Sequence, residues 1–552
     1  MSLSTARTHR PPTRSVAWGA NGAAATAHPL ATLAAIDMLR RGGSAIDAAI
    51  CANICLGFLE PTACGIGGDV FALLWDPAAK QVVGFNGSGR SPRSLTLEIQ
   101  RQRADQGHIR RFGATSVSTP GAVEGWARLH QRYGRLDWAQ LWAPGVELCE
   151  AGAPIPAVIA AGWRRNLREY LQARDEIGEL KNFAHTFAPW GRAPKEGELF
   201  RNPDLGRSYR LIAEQGPDVF YRGEIAETIE RYFQRIGGWL SRADLEAHAG
   251  EWTQPHSTGY RGVEVYGLGP NTTGVTTLQM LGMLEQFDLA GMGPLSAQSI
   301  HHQAEAKRLA FEDRARYFAD PAFASAPVEW LLSKDYAAER ARMIRPDRVM
   351  QDVGAGEAPS QGGTTCLSVA DRDGMMVSLI QSNFRGMGSG LVADGLGFTF
   401  QNRGELFSLQ DGHANLYAPG KRPFHTIIPG FATRGGEPWL AFAVMGGDMQ
   451  PQGQVQVLVS LIDHGLDLQQ AGDLPRWRHD GSSQPVGRAA DGIGTLLLEP
   501  LVPNHTRKEL TKLGWRLGPP DHQFGGYQAV QRVGGVYGGA SERRKDGIAL
   551  AY

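Results

Sequence analysis

Gly362-Gly363-Thr364-Thr365-Cys366-Leu367-Ser368-Val369-Ala370-Asp371 is the stretch on which the reading of this chain turns. Two glycines lead into a hydroxyl residue that opens a strand. If the backbone is cut before Thr364, that residue carries both a hydroxyl and a free α-amine, so a nucleophile and its base sit on one residue. A free α-amine has a reference pKa of about 7.7–8.0, inside the useful range of a general base at neutral pH. The same hydroxyl can attack the Gly363 carbonyl of the uncut chain, and glycine at 362 and 363 permits the backbone that this step needs.

The turn after this strand sets its partner. Arg372-Asp373-Gly374 reads as a three-residue hairpin loop with glycine at the left-handed position. That loop pairs Asp371 with Met375 and puts Ser382 opposite Thr364, where directly opposed Cβ atoms lie about 4.5–5.5 Å apart. A two-residue turn would put Gln381 there instead. Taken alone, Thr-Thr after a glycine loop is ordinarily just a β-former, so the motif is weighed with the rest of the chain.

The chain has 552 residues, 42% of them apolar, enough for a sizeable core. Its 56 acidic and 56 basic side chains cancel, which leaves no global electrostatic case for nucleic acid or a membrane surface. Five cysteines form no C-x-x-C pair, and an odd count suits a disulfide framework poorly. They read as buried small hydrophobes in a reducing compartment. Arg7, Arg10 and Arg14 lie in a polar start without an apolar run, and no long apolar stretch occurs, so a cytoplasmic protein is expected.

Periodicity predicts a helix from His28-Pro29 to Arg41, ended by Gly42-Gly43, and a second, capped by Ser44, over Ala45 to Leu59. Strands are expected at 70–75 and 81–85, mostly helix over 120–250, a strand at 263–268, and helices at 276–287 and 299–317. Residues 347–363 read as an exposed, cleavable linker. Beyond it strands are expected at 365–370, 375–382, 397–401, 426–433 and 438–444, then a helix at 453–464.

Seven segments together resemble the gamma-glutamyltransferase family of N-terminal-nucleophile hydrolases: GGSAIDAA at 42–49, EPTACGIGGD at 60–69, STPGAVEGW at 118–126, EAKRLAFEDRARYFADP at 305–321, TTCLSVADRDG at 364–374, GKRPFHTIIP at 420–429 and MGGDMQPQG at 445–453. The resemblance runs from about His28 to Tyr552. It implies an α+β fold, the four-layer αββα sandwich, made as one precursor and cut between Gly363 and Thr364. A tail and entry strand (1–27) would precede a helix-rich large fragment (28–363) and a strand-rich small one (364–552), which stay associated around a shared core. By position it implies that Thr364 is the nucleophile, that Ser382 orients it, that the N–H groups of Gly446 and Gly447 form the oxyanion hole, and that Arg90 holds the substrate carboxylate.

The departures from the family pattern carry the specificity. Phe384 stands where a glutamyl enzyme has Asn, with Asn383 beside it. Arg403 and Leu406 stand where Gln and Asp bind the glutamyl α-amine, and His425-Thr426 replace a Ser-Ser pair. Losing the Asp removes the ammonium partner, and the Arg adds a cation that repels it. The expected substrate is a small acyl amide that bears a carboxylate and lacks the amino group, as in the acylase and oxamate amidohydrolase branches. Two rival readings are a glutathione hydrolase or transpeptidase, and an uncleaved binding protein on the same scaffold. No cofactor and no metal are called for, and a homo-oligomer is compatible with the sequence.

Other signals take plainer readings. Gly65-Ile66-Gly67-Gly68 lacks the Lys-Ser/Thr of a phosphate loop, and Gly386 to Gly390 does not complete G-x-G-x-x-G, so both read as backbone turns near the site. His301, His302 and Glu305 lack H-E-x-x-H spacing and read as a capped or solvated helix face. Asp371-Arg372-Asp373-Gly374 lacks the twelfth-position Glu of a calcium loop. No G-x-S-x-G elbow occurs. His425 is kept as a candidate, although an N-terminal nucleophile supplies its own base.

Overall fold

The strand Asp69–Asp76 shows how the core is built. Phe71, Leu73 and Trp75 point one way into an apolar cluster, and Val70, Ala72 and Leu74 point the other way into a second. Met376–Ser382 repeats this, with Met376 and Ile380 on the first side and Val377 and Leu379 on the second. Strands buried on both faces read as near-continuous apolar runs, which explains the absence of polar alternation in DVFALLW and MMVSLI.

A computed structural model describes residues 14–356 and 367–552. Gly363 and Thr364 lie outside the described residues. Two seven-stranded sheets face each other. One runs in the order Ile548–Ala551, Ala23–Thr26, Leu367–Ala370, Met376–Ser382, Asp69–Asp76, Gln81–Gly87, Glu251–Thr253. The other runs Ala17–Gly19, Val536–Ser541, Tyr527–Val533, Glu437–Val444, Gly430–Arg434, Val263–Gly267, His256–Tyr260. Phe71, Leu73, Ile380, Phe431, Ala441, Ala443 and Val530 fill the space between them.

Helices close both outer faces. Ala45–Leu59 starts on a capping box between Ser44 and Asp47 and is buried along its whole length. It lies between the first sheet and the helices Pro29–Arg40 and Trp138–Ala151. Gly274–Leu284 and Met449–Ile462 cover the second sheet, backed by Ala297–Tyr317. The result is the α+β sandwich of four layers, helix, sheet, sheet, helix. No helix among the described residues is long and apolar enough to cross a membrane.

The hairpin has the expected register. Ala370 opposes Met376 and Leu367 opposes Leu379. Asp371 N–H donates to the Met375 carbonyl at 3.0 Å, and Gly374 takes φ 92°. Cys51, Cys55, Cys64 and Cys149 are free and buried.

Three expectations need correction. Residues 397–401 form no strand beyond a single bridge between Val392 and Thr399, because their backbone is shared out to Gly67, Ser389 and Leu391. The strand expected at 426–433 starts only at Gly430. The helix face of His301, His302 and Glu305 is buried rather than solvated: His301 bonds the Arg345 carbonyl and Trp515, and Glu305 pairs with Arg308.

Candidate active site

Ser382 ends its strand on the inter-sheet side, directly opposite Asp69. Its Oγ accepts the Phe384 N–H at 2.8 Å. Phe384 takes φ 78°, a left-handed conformation that a bulky residue adopts only under tertiary constraint. This turn lays the Phe384 ring beneath the Arg403 guanidinium, 4.4 Å away.

The second sheet supplies the facing wall. After Val444 the chain passes through Gly446 (φ 120°) and Gly447 (φ 57°) into the helix Met449–Ile462. The carbonyls of Gly446 and Gly447 accept the first helical N–H groups, at 3.1 and 3.0 Å. Their own N–H groups have no acceptor among the described residues. Free donors at the start of a helix form an anion site, reinforced by the helix dipole. Buried Arg314 fixes this corner through Asp448 Oδ1 at 2.6 Å, and Gln484 holds Oδ2 at 2.8 Å.

A cleft opens at these glycines. Two hollows of about 570 and 810 Å³ share Arg111, Phe384, Arg385, Thr426, Gly446 and Gly447 as walls. Ser382 and Arg403 border the larger hollow, and Leu406 and Asp448 the smaller. Seven residues named from sequence therefore meet at one place: Ser382, Phe384, Arg403, Leu406, Thr426, Gly446 and Gly447.

Three others do not line it. Arg90 is drawn off to Asp320 (3.0 Å), the Gly420 carbonyl (3.2 Å) and Glu251 (3.5 Å), and borders a separate hollow. The Asn383 amide is spent on Thr399 Oγ1 at 3.2 Å. His425 is fully buried behind the wall, its Nε2 3.0 Å from Asp69 Oδ2.

That contact belongs to a buried polar cluster that the sequence does not announce. Asp69 Oδ1 accepts the Gly89 N–H at 3.0 Å, and Oδ2 accepts Gln401 Nε2 at 2.9 Å. Gln401 Oε1 in turn accepts the Arg403 N–H at 3.0 Å, and Arg403 Nη1 donates to Thr426 Oγ1 at 2.9 Å. Asp69 thus ties down both segments that bring side chains to the cleft. Burial pushes its carboxyl up to about 7, against the pull of the Gly89 N–H and Arg403. Burial pulls Arg403 down to about 9, and burial with Arg403 and Arg422 holds His425 well below its usual value. The one signal for the cluster was Asp69 itself, an acid heading the unbroken apolar run Val70 to Trp75.

Comparison with known proteins places the sequence and the fold among described relatives. A sequence model of the gamma-glutamyltranspeptidase family matches residues 31–552. The chain is 36% identical to the glutathione hydrolase-like YwrD proenzyme of Bacillus subtilis, over 82% of this chain and 83% of that one. It is 32% identical to the oxamate amidohydrolase proenzyme of Klebsiella pneumoniae, over 96% and 98%. The structure superposes on cephalosporin acylase from Bacillus halodurans with a TM-score of 0.90 and 38% identity, covering 100% of this chain and 99% of that one.

Proposed function

Because the chain belongs to the gamma-glutamyltranspeptidase family, we propose that it is a self-processing amide hydrolase whose nucleophile is Thr364 and whose acyl group bears a carboxylate without an α-amine. The family, with relatives described as an oxamate amidohydrolase and a cephalosporin acylase, makes it an enzyme acting on amide bonds.

The hairpin register supports the choice of nucleophile. Leu367 opposes Leu379 and Ala370 opposes Met376. Extended past the described residues, the same register would set Thr364 against Ser382. Ala370 packs between the sheets, and Thr364 shares its parity. Cleavage before Thr364 gives fragments 1–363 and 364–552. Both sheets combine strands from the two sides of that bond, so the fragments hold together through the core.

In the proposed reaction the α-amine of Thr364 takes the proton as its Oγ attacks the acyl carbonyl. The oxyanion meets the N–H groups of Gly446 and Gly447. The proton passes to the leaving amine, and water then hydrolyses the threonine ester by the same route reversed.

The observation that carries the substrate class is Arg403. It borders the cleft as a buried cation, and among the described residues its side chain makes one hydrogen bond, to Thr426. Leu406, on the facing hollow, offers no carboxylate to an ammonium group, and the neighbouring Glu405 and Asp448 are already paired with Arg385 and Arg314. A desolvated guanidinium repels an α-ammonium and favours an anionic acyl group such as an oxamate-, succinyl- or glutaryl-like amide.

Two measurements test this. Intact mass should give two fragments for the purified protein and one uncut chain for Thr364→Ala, which should lack activity. Release of nitroaniline should be faster from glutaryl- than from γ-glutamyl-p-nitroanilide. Normal cleavage in Thr364→Ala removes the nucleophile, and preference for the γ-glutamyl anilide removes the substrate class.

A further inference from the structure

With Arg90 drawn off to Asp320, the acyl carboxylate needs another partner at the cleft. Among the described residues, the cations that border both hollows, where Gly446 and Gly447 lie, are Arg111 and Arg385. Arg385 is already engaged by Glu405. Arg111 is exposed to solvent and makes no side-chain hydrogen bond or ion pair among the described residues.

Its backbone, by contrast, is well held. The Arg111 carbonyl accepts Asn402 Nδ2 at 2.8 Å, and Phe112 N–H donates to Glu176 at 2.8 Å. Gly113 N–H donates to the Ser389 carbonyl at 2.9 Å, and the Phe112 ring is buried against Tyr170, 5.0 Å between centroids. Asn402 also accepts the Arg385 N–H at 3.1 Å and precedes Arg403 in the chain. One short segment therefore registers Arg111, Arg385 and Arg403 around the cleft. The guanidinium lies over the Phe112 ring, 5.9 Å from its centroid, a contact that takes none of its N–H donors, so among the described residues these stay open to a ligand.

We propose that Arg111, rather than Arg90, receives the carboxylate of the acyl group. The assignment rests on the reading that the acyl group is anionic. A guanidinium fork meets a carboxylate with two parallel N–H···O bonds, which fixes the far end of the acyl chain while its carbonyl lies at the glycines. Arg403 supplies the field that excludes an ammonium group, and Arg111 supplies the contact. Because Arg111 is exposed, the attraction is screened by salt.

The test compares glutaryl- and acetyl-p-nitroanilide, which differ in the distal carboxylate. In Arg111→Gln, KM for the glutaryl substrate should rise about tenfold or more with kcat little changed, the scale of a lost charge-assisted hydrogen bond. KM for the acetyl substrate should stay put, and self-cleavage and thermal stability should match the parent. Arg111→Lys should recover part of the loss, and the salt dependence of the glutaryl KM should vanish in Arg111→Gln. Arg165→Gln, on the wall of the larger hollow alone, should behave as the parent. A parent enzyme with no preference for glutaryl over acetyl overturns the anionic-substrate reading and this one with it. A preference that survives Arg111→Gln, or falls in Arg165→Gln instead, overturns the assignment of Arg111 alone.

Discussion

Ser382 and Asp69 are direct cross-strand partners, at the end of one strand and the start of its neighbour, on the face between the two sheets. The hydroxyl that shapes the Phe384 turn and the acid that anchors Gln401 therefore occupy one row of the sheet. A change at either reaches the cleft through few bonds.

Ser382→Ala deletes the acceptor of the Phe384 N–H and frees a left-handed turn that costs roughly 1–2 kcal/mol to hold. We expect kcat to fall roughly tenfold to a hundredfold, the scale of a misplacement of about 1 Å, with KM little changed. Self-cleavage should slow in parallel, and Ser382→Thr should restore both. Anilide kinetics and a gel time course check this. A parental kcat in the alanine variant would leave Ser382 without a role.

Asp69 should leave a signature in stability against pH. Burial raises its carboxyl to about 7 in the native protein, whereas an unfolded chain releases the proton near 3.9. Between those values the native state binds more protons, so stability falls as pH rises through the window. An asparagine side chain is the isostere of the protonated acid and escapes the loss. Calorimetry should show Asp69→Asn gaining on the parent from pH 4.5 to 7.5, by about 3 kcal/mol. A difference independent of pH would contradict a raised carboxyl.

The parts of this site written in local sequence were legible. Arg372-Asp373-Gly374 specifies a loop length, the loop length specifies a register, and the register names Ser382. Ser44 and Asp47 specify a helix start in the same local way. Destinations set by distant partners were not legible. Arg90 is bonded to Asp320 and Gly420, far along the chain, and nothing near residue 90 announces them. Residues 397–401 have the alternation of a strand, but Gln401 N–H donates to the Gly67 carbonyl, and a Cβ on Gly67 would stand 2.0 Å from Thr399 O. That close approach needs a glycine in a loop hundreds of residues earlier. Asp69 and Gln401 carry little local sign of their role, because a buried acid becomes informative only when its partners are known.

Arg403 should show a conflict between stability and selectivity. It is 1% exposed, and among the described residues its Nε has no partner and its one side-chain hydrogen bond goes to a neutral hydroxyl. Burial pulls this cation down to about 9, the Phe384 ring at 4.4 Å and the attraction of Asp69 and Glu405 offset only part of that cost, and a methionine fills similar space without it. Arg403→Met should unfold at the same or a higher denaturant concentration, with a gain of up to about 2 kcal/mol. Its preference for glutaryl- over γ-glutamyl-p-nitroanilide should shrink by about tenfold as the repulsion of the α-ammonium disappears. A variant that is both less stable and equally selective would assign Arg403 to structure alone.

The two glycines of the facing wall should respond unequally. At Gly446, φ is 120°, outside the range of an L side chain, and a Cβ would stand 3.2 Å from Gly525 Cα and 3.3 Å from Met449 Cβ. Alanine there must move the backbone that carries one of the two N–H groups proposed to meet the oxyanion. At Gly447, φ is 57°, within the left-handed region, and nothing lies within 4 Å of a Cβ. Alanine there costs about 1–2 kcal/mol of conformational energy without displacing a neighbour. Gly446→Ala should therefore lose about 10²–10³ in kcat, the scale of a missing oxyanion donor. Gly447→Ala should lose about tenfold or less, and Gly447→Asn less still, since asparagine tolerates the left-handed region. KM should hold in all three, because donors in the proposed oxyanion role act on charge that exists only in the transition state. Steady-state kinetics on one anilide ranks them, and the reverse order, with Gly447→Ala the more damaged, would mean that backbone geometry at Gly446 does not govern the oxyanion contact.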